Sequence, residues 1–477
     1  MILDLNFRSP VELLAEFDSV FPVASPPAKK PMTYSKVEGE GRMIGNGKLK
    51  RNEEQNGWIL LPAELNIEDV FDSVGRLLGE RFLLILSSFY VRGLLKKKVA
   101  HELGNFFRGH NEILRRLGGE HYRSLIGYAL KEKFLIKSPR GYVPGLRAKE
   151  FMLNQEVFSL KNQQRYELTT KHGIRVRTQY ANERRIEFIK AGPAYRKIAA
   201  SVNGLTFDFS SAIKYVAGLP DGEPKIHRKN VVESLILGES IWTIDEQKRN
   251  YTIMVVVPRD IRQFFQYGNK PLWVVDITSS QPLLHVLLYS TDCEEKGIYQ
   301  SIVEDGRFWD YMNDAAGRPF ELSDPEQKAE LKESIYQQIF YSYHEPAEGT
   351  TEPFAVIFKR EFPILWAEIN ANKIPGGPKQ SGPLAKAVQE SEANSVIAAI
   401  GLLKGKPYPL ITIHDAVVTT KDGLADVEQA LKKSFATDNL NPWLSVKRLT
   451  IDSSERDSLA VSSSDGSPAS SGAIKTS

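Results

Sequence analysis

Two apolar segments that each lead to an aspartate place the strongest constraint on the fold of this 477-residue chain. In PLITIHDAVVTT, residues 409–420, an apolar strand runs into the pair His414 and Asp415, and a second apolar strand follows directly. In PLWVVDITSSQ, residues 271–281, Asp276 ends a run of β-branched and aromatic residues. Because such residues favour pleated strands, both segments are predicted as strands that hold a carboxylate at one end.

The two aspartates suggest one shared metal site. Carboxylate oxygens are ligands that Mg²⁺ prefers. Two such ions roughly 3.5–4 Å apart can activate an attacking oxygen and stabilise a leaving oxygen in phosphoryl transfer. We therefore interpret Asp276 and Asp415 as catalytic ligands of two Mg²⁺ ions, with Mn²⁺ as a substitute, in nucleotidyl-transfer chemistry.

Composition limits the class of protein. With 42% hydrophobic and 10% aromatic residues, the chain is long enough for two or three globular domains. No stretch reaches the roughly 18 apolar residues of a membrane span, and the first residues do not follow the pattern of a secretion signal. Cys293 is the only cysteine, which excludes an internal disulfide and a multi-cysteine zinc site. These features predict a cytoplasmic protein without a membrane partner; they do not indicate its oligomeric state.

Positive charge is concentrated in one segment. The net charge is +3, but residues 92–150 contain 14 Lys and Arg against 5 Glu, which makes +9 there and −6 over the remainder. A polyanion is therefore the expected partner of this segment.

The same region has the pattern of a winged-helix-like module. Helical periodicity over RFLLILSSFYVRGLL, HNEILRRLG and HYRSLIGYALKEK is followed by FLIKSPRGYVPG, which alternates around a Pro-Arg-Gly turn. Such a module places a helix in the major groove of DNA. The alternative is a solvated basic domain that packs on its neighbour or binds another protein. Phosphate contacts are predicted for Arg123, Lys131, Lys133, Lys137 and Arg140.

A five-part organisation follows from these patterns. The predicted parts are a flexible arm (1–57), the winged-helix-like domain (58–155), a helical connecting or thumb-like region (156–240), a catalytic domain (241–452) and a disordered tail (453–477). Within the catalytic domain, YTIMVVV is predicted as a strand and PRDIRQFFQYG as a helix. His285, inside PLLHVLL, is predicted to be a core residue, and Glu390 and Glu392 are assigned no role.

The segment EQKAELKESIYQQIFYS places two cations and two aromatic residues at a spacing of four. Lys328, Lys332, Tyr336 and Phe340 would then follow one face of a helix. Two cations one turn apart suit a triphosphate, and a ring one turn further on suits a base or sugar. The alternative is an ordinary amphipathic surface helix, which has the same spacing.

The order of these elements over residues 240–450 resembles the family A DNA polymerases and the related single-subunit phage-type RNA polymerases. Asp276 matches the aspartate of motif A, and the pair His414-Asp415 matches motif C. The series at 328, 332, 336 and 340 resembles motif B, Arg-x3-Lys-x3-Phe/Tyr-x3-Tyr. The approach to Asp276 is similar to the segment that leads into motif A, and KAVQESEANSVIAAI is similar to a helix that carries a glutamine to the template-primer junction.

The resemblance implies an α+β fold, with a right-hand polymerase palm and fingers joined to the winged-helix-like domain. It implies a DNA template-primer, with RNA as an alternative, and nucleoside triphosphates as partners. The implied roles are catalysis and α-phosphate binding for Lys332, outer-phosphate binding for Lys328, nucleotide stacking for Tyr336, a position near the templating base for Phe340, and primer or template contacts for His414, Gln389, Arg249 and Arg262.

The chain also departs from the family pattern. Motif A usually continues Asp-Tyr-Ser-Gln-Ile-Glu, but this chain has Asp-Ile-Thr-Ser-Ser-Gln, so the choice between deoxynucleotides and ribonucleotides stays open. Ala416 stands where most of the DNA polymerases have a glutamate. The main hypothesis is a DNA polymerase of a mobile element, phage or defence locus. The alternatives are an RNA polymerase or primase, a DNA-binding replication initiator or regulator with an inactive palm, and an unrelated α/β protein.

Overall fold

A computed structural model describes most of the chain. The described residues are 10–21, 57–94, 107–108, 111–137, 150–154, 156–158, 163–238, 241–341, 353–373 and 382–450. The predicted tail and Arg140 lie outside these ranges. None of the described helices combines the length and the apolar character that a membrane span requires.

Helices and short antiparallel strands alternate through the first half of the chain. In chain order they are α1 (Pro10–Val20), β1 (Trp58–Pro62), α2 (Ile67–Val74), α3 (Arg76–Leu94), β2 (Phe107–Arg108), α4 (Asn111–Gly118), α5 (Tyr122–Lys131), β3 (Leu135–Lys137), β4 (Glu150–Leu153), β5 (Gln163–Glu167), α6 (Lys171–Lys190), α7 (Pro193–Asn203), β6 (Leu205–Phe207), α8 (Phe209–Ala217) and α9 (Glu223–Ile236).

The second half contains the longest strand and the predicted catalytic residues. Its elements are β7 (Thr243–Ile244), β8 (Asn250–Tyr251), α10 (Ile253–Val256), β9 (Phe265–Tyr267), β10 (Lys270–Ile277), α11 (Ser280–Leu284), α12 (Glu294–Glu304), α13 (Phe308–Ala315), α14 (Pro325–Ile335), a π-helical segment (Tyr336–Tyr341), α15 (Pro353–Glu361), α16 (Pro363–Ala371), α17 (Pro383–Leu402), β11 (Ile411–Ile413), β12 (Ala416–Thr420), α18 (Leu424–Phe435) and β13 (Leu444–Arg448).

The predicted mixture of helices and sheets is confirmed, and the chain divides into two compact units. Unit 1 contains the described residues of 1–183 and 206–240, and unit 2 contains 184–205 and 241–450. The five-part division stays a prediction. Two local predictions were wrong: YTIMVVV forms the short strand β8 and helix α10, and PRDIRQFFQYG forms a 3₁₀ turn followed by β9. The propensities of single residues are overridden here by tertiary packing.

Unit 1 contains a helix inside the predicted flexible arm. The apolar residues Leu13 and Phe17 of α1 are one helical turn apart and are buried, so this part of the predicted arm is an ordered element. Arg165 of β5 fastens it, because the guanidinium donates two hydrogen bonds of 2.8 Å to Asp18. Arg165 also forms an ion pair with the buried Glu233 of α9.

The basic module of unit 1 joins three helices to a three-stranded antiparallel sheet. The sheet order is β2-β4-β3, so the strand between α3 and α4 pairs with the second strand of the β3–β4 pair. Phe82 of α3 anchors the core, with ring centroids 5.3 Å from Tyr128 and 6.1 Å from Phe134. The helices therefore pack on the strands through aromatic side chains.

Unit 2 is built around β10, because LWVVDI is apolar enough to be buried in a sheet. Strand β10 pairs antiparallel with β12 along one edge and with β13 along the other. Strand β11 continues the sheet beyond β12, and β9 pairs with the first residues of β10. Helix α17 packs against α7, α11 and α18. This sheet positions the candidate site.

Candidate active site

A two-residue hairpin turn presents Asp415. Ile413 of β11 pairs directly with Ala416 of β12, which leaves only His414 and Asp415 to reverse the chain. His414 has φ +54°, and two-residue hairpins favour positive φ in the turn because it matches the twist of the strands. The His-Asp pair is therefore held by the geometry of a short turn.

The register of the sheet brings Asp276 next to this turn. Asp276 of β10 pairs with Ala416, the residue that follows Asp415. Burial raises the pKa of the Asp276 carboxyl, and the negative charge of Asp415 raises it further. Burial also raises the pKa of Asp415. The two aspartates that the sequence singled out thus lie close enough for their charges to interact.

Two lysines face the carboxylates. Lys447 of β13 lies with Nζ 3.7 Å from Asp276 Oδ2. Lys332 of α14 is half-buried, and its pKa is lowered by burial and by Lys328, while Asp276 and Asp415 act in the opposite direction. The Lys332 Nζ also lies 5.2 Å from the centroid of the Trp309 ring. Lys332 was predicted at this site, whereas Lys447 was not.

The donor set is suited to a hard divalent cation. Asp276 and Asp415 provide carboxylate oxygens, which Mg²⁺ and Mn²⁺ accept as ligands. Because the charge of Asp415 raises the pKa of Asp276, the two carboxylates repel one another, and a cation between them would relieve this repulsion. Within the described part of the chain, no group of three or more His, Cys, Asp or Glu side chains is arranged to hold a metal.

A buried hydrogen-bond network connects Asp415 through Ser280 and Glu392 to Arg249. Arg249 Nη2 donates a 2.6 Å hydrogen bond to Glu392 Oε1. The Ser280 hydroxyl oxygen lies 2.9 Å from Glu392 Oε2 and 2.7 Å from Asp415 Oδ2. A hydroxyl carries one proton and can donate to only one of the two carboxylates. Both contacts are hydrogen bonds when Glu392 carries a proton. The Glu392 carboxyl then donates to the Ser280 oxygen, and the Ser280 hydroxyl donates to Asp415 Oδ2.

The environment of Glu392 agrees with a bound proton. The side chain is buried in α17, and burial, followed by the charge of Asp415, raises its pKa to about 7. Arg249 and Ser280 act against this shift without cancelling it. Glu392 is therefore the titrating group of the network near neutral pH.

This shift predicts a pH-dependent stability. A carboxyl with a raised pKa binds its proton more tightly in the folded protein, so the free energy of unfolding falls as the pH rises from about 4.5 to about 7. In Glu392→Gln this contribution disappears, and denaturant titrations across that range are expected to show a shallower decline than wild type. The change Glu330→Gln, at an exposed position of α14, serves as a control and should keep the wild-type slope. An unchanged slope in Glu392→Gln would contradict the assignment.

The predicted helix of motif B changes its geometry midway. Helix α14 ends at Ile335, and Tyr336–Tyr341 is π-helical. The prediction of one continuous α-helical face through Phe340 is therefore wrong, because a π turn shifts each later side chain around the axis. Lys373 Nζ donates to the carbonyl of Ile339 inside this segment, which gives the altered backbone a side-chain partner.

The shift places Phe340 in the core and Tyr341 at the site. Phe340 is 1% exposed, and its ring centroid lies 4.3 Å from that of His285, which is itself buried as predicted. Tyr336 is half-buried and stacks on Tyr341, with ring centroids 5.1 Å apart and an interplanar angle of 12°. The Tyr341 hydroxyl donates to Gln281 Oε1. An aromatic pair thus lies beside α11, the helix that follows the Asp276 strand, but it consists of Tyr336 and Tyr341.

The predicted primer and template residues have different surroundings. Arg249 is engaged with Glu392. Arg262 donates to the carbonyls of Val257 and Val255 at 2.8 and 3.1 Å, and burial lowers its pKa to about 10. Arg262 therefore holds the end of α10.

The remaining two primer or template residues border the carboxylate site. The His414 ring meets Tyr251 edge to face, with centroids 5.9 Å apart. Gln389, on α17, is half-buried and hydrogen-bonds with Tyr341. Their predicted contacts with nucleic acid stay predictions.

In the basic module, the predicted phosphate-binding residues within the described ranges are all exposed. They are Arg123, Lys131, Lys133 and Lys137. Lys133 has φ +59°, in the turn between α5 and β3. Their exposure leaves them available to a polyanion, and their role stays a prediction.

Several residues of the site carry no distinctive sequence signal. Ser280 and Gln281 follow Asp276 by four and five positions, so their proximity to it could have been anticipated. The others arrive from distant elements: Glu392 from α17, Lys447 from β13 and Tyr341 from the π-helical segment.

Comparisons with known proteins give a distant likeness to solved structures. No protein-family model matches the chain, and a search of curated proteins finds no match. Among solved structures, the chain is similar to the POL domain of Pol1 from M. smegmatis in complex with DNA primer-template and dNTP. The two chains are 12% identical with a TM-score of 0.37, over 58% of this chain and 73% of the other.

Proposed function

We propose that this chain is a template-directed nucleotidyltransferase that extends a nucleic-acid 3′ end, with DNA polymerase as its activity. The observation that carries the proposal is the approach of Asp276 to Asp415 at adjacent strand ends, with Lys332 beside them. In this proposal, unit 2 corresponds to the palm domain of a polymerase with a shortened fingers domain. The primer 3′ oxygen bonds to the α-phosphorus of a nucleoside triphosphate, the bond to the β-phosphate oxygen breaks, pyrophosphate leaves, and the hydroxyl proton passes to solvent.

The residues of the chain divide this work between them. Asp276 and Asp415 would hold Mg²⁺, which when bound activates the attacking oxygen and neutralises phosphate charge. Ser280 fixes one oxygen of Asp415, so the other oxygen can turn toward the site. Lys332 places a positive charge where negative charge develops on the transferred phosphate. Tyr336 and Tyr341 offer a stacked aromatic surface for the incoming nucleotide.

A winged-helix-like role for the basic module is supported by its topology. The order α3, β2, α4, α5, β3, β4 with the sheet order β2-β4-β3 is that of a helix-strand-helix-helix-hairpin unit. The exposed cations of α5 and β3 would contact backbone phosphates and bring nucleic acid to the enzyme.

Lys447 supports a second candidate function. Its ammonium group lies 3.7 Å from Asp276 and supplies the positive charge that a metal ion would otherwise provide. With the charge of Asp276 neutralised by Lys447 and no metal ion bound, the protein would be a replication initiator or regulator that binds nucleic acid without extending it.

Primer extension separates the two candidates. A labelled primer on DNA and RNA templates is incubated with Mg²⁺ or Mn²⁺ and with either dNTPs or rNTPs. Template-dependent extension that disappears in Asp276→Ala establishes the polymerase and reads its sugar preference. Retained binding with no extension under every condition supports the initiator.

We expect the two lysines of α14 to affect different kinetic constants. Lys332→Ala should lower kcat for nucleotide addition by about 10²–10³-fold, because its charge acts on the transferred phosphate. Lys328→Ala should mainly raise KM for the nucleotide, since an outer-phosphate contact is made equally in the ground and transition states. Single-nucleotide incorporation kinetics measure both constants. Lys359→Ala, an exposed lysine of α15, is the control. Equal effects of all three changes would contradict these roles.

A further inference from the structure

We propose that a basic cavity in unit 1 binds a backbone phosphate of nucleic acid. The cavity has a volume of about 510 Å³ and is lined by Arg115, Gly119, Glu120, Tyr122 and Arg123. It lies where α4 gives way to α5. The inference rests on the nucleic-acid partner of the proposed function and identifies where that partner is held, but it does not depend on catalysis.

The two lining arginines are available to a ligand. Arg115, in the last turn of α4, and Arg123, in the first turn of α5, are exposed, and neither forms a salt bridge with an acidic side chain that the structure describes. Arg123 Nε donates a 3.1 Å hydrogen bond to the Tyr122 hydroxyl, and its guanidinium carbon lies 5.7 Å from the Tyr122 ring centroid. Tyr122 thus orients Arg123 without neutralising it. Glu120, the one carboxylate of the lining, lies 3.5 Å from His121.

A third arginine lies behind the cavity wall. A Cβ atom at Gly119 would lie 2.1 Å from Arg81 Nη1, and Gly119 has φ +65°. The positive φ favours glycine at this position, and the missing side chain leaves room for the Arg81 guanidinium to approach the wall. Arg81 Nε lies 2.7 Å from His172 Nε2, and Arg175 Nη2 lies 3.1 Å from His172 Nδ1.

The imidazole contributes no compensating negative charge. Both of its ring nitrogens face guanidinium groups, and burial, Arg81 and Arg175 lower the pKa of His172. The neutral ring separates two arginines and holds Arg81 in position. The cavity and its rear wall therefore combine Arg81, Arg115 and Arg123 with Glu120. Arg175 and the buried Glu80 lie further back, where both interact with His172.

This charge arrangement selects a phosphate of a polymer. Guanidinium groups bind phosphate through paired N–H donors, which a lysine cluster cannot do. Lys131 is eight residues beyond Arg123 on α5, which is about 12 Å along the helix axis. That distance exceeds the size of one phosphate group, so Arg123 and Lys131 would contact different phosphates of a nucleic-acid strand.

The proposal is tested by equilibrium binding of the full chain to a fluorescent DNA duplex, without nucleotides, over a range of salt concentrations. We expect Arg115→Ala combined with Arg123→Ala to weaken Kd about tenfold near 0.1 M salt and to lower the slope of log K against log salt by about 1, the loss of one phosphate contact. Lys214→Ala, an exposed lysine of α8 in the same unit, should keep the wild-type Kd and slope.

Additional measurements distinguish the possible outcomes of this binding experiment. Thermal melting of each variant verifies folding, and Arg115→Lys with Arg123→Lys should recover part of the affinity. A Kd and slope equal to those of Lys214→Ala would overturn the proposal. Displacement of the duplex by equimolar inorganic triphosphate would overturn the assignment to a nucleic-acid backbone. The same titration in Asp415→Asn should be unchanged, so a failed primer-extension assay leaves this result intact.

Discussion

Replacing Asp415 by asparagine is expected to abolish nucleotide incorporation while leaving the protein folded and bound to nucleic acid. In the proposed function this carboxylate would be one of two ligands for a divalent cation, and without its charge the proposed Mg²⁺ site would lose half of its anionic donors. We expect incorporation to fall by about 10³-fold or more, as when a principal electrostatic contact to the transition state is lost. Asp276→Asn should have the same effect. Rapid-quench measurement of a single incorporation event detects the change.

Although Asp415→Asn and Asp276→Asn should lose incorporation, neither substitution should lower the thermal stability of the protein. Because burial raises the pKa of both carboxyls and Asp415 also raises that of Asp276, a neutral amide removes repulsion, and the melting temperature should be unchanged or higher. Asp438→Asn, on the exposed turn after α18, is the matched control. Incorporation by purified Asp415→Asn at the rate of the Asp438 variant would rule out the proposed active site.

Removing one partner of the buried Arg249–Glu392 pair is expected to have the largest effect on stability. Glu392 is 2% exposed, and the Arg249 side chain is 15% exposed. At a pH above about 7, where Glu392 is ionised in the intact pair, deleting one member leaves a buried charge without its counterion, which costs about 3–5 kcal/mol. We expect this loss in Arg249→Ala and in Glu392→Ala, measured by urea titration above that pH. Five of the six tryptophans, at positions 242, 273, 309, 366 and 443, belong to unit 2, so tryptophan fluorescence follows the relevant unit.

A double-mutant cycle isolates the pair from the rest of the network. The combined Arg249→Ala and Glu392→Ala change should cost less than the sum of the single changes, because neither charge is then left alone. The volume-filling pair Arg249→Met and Glu392→Met should restore much of the stability. Its incorporation rate should stay low, since Ser280 would lose its contact with Glu392 and no longer hold Asp415 in one orientation. Strict additivity in the cycle would show that the two side chains do not interact.

The sequence predicted a large part of the site because its main signals are local. Apolar β-branched runs determined β10 and β12, and a two-residue interval between apolar segments determined the tight turn at Asp415. Helical spacing placed Lys328 and Lys332 on one helix face, and the resemblance to motif B placed Lys332 at the carboxylate site. The three helices and the strand β3 of the basic module followed from hydrophobic periodicity in the same way, whereas β2 was not predicted and the predicted Pro-Arg-Gly turn lies outside the described residues.

The errors arose where local patterns met tertiary packing. The spacing from Lys328 to Phe340 predicted a single α-helical face, but the chain adopts a π turn after Ile335 that buries Phe340 and brings Tyr341 toward Gln281. Likewise, β-branched residues predicted a strand through YTIMVVV, yet Ile253–Val256 is helical and Arg262 caps its carbonyls. In each case the deciding contacts come from side chains outside the local window.

The sequence by itself determined which strands would carry carboxylates, where the chain would reverse at Asp415, and where positive charge would gather. Only the tertiary structure decided which groups surround those carboxylates. Ser280 meets Glu392 across 112 residues and Asp415 across 135 residues, and Lys447 reaches Asp276 because β13 pairs with β10 in one particular register. Spacing along the chain specifies helix faces and strand faces. The pairing of distant elements depends on how all of their surfaces pack together, and no single segment contains that information.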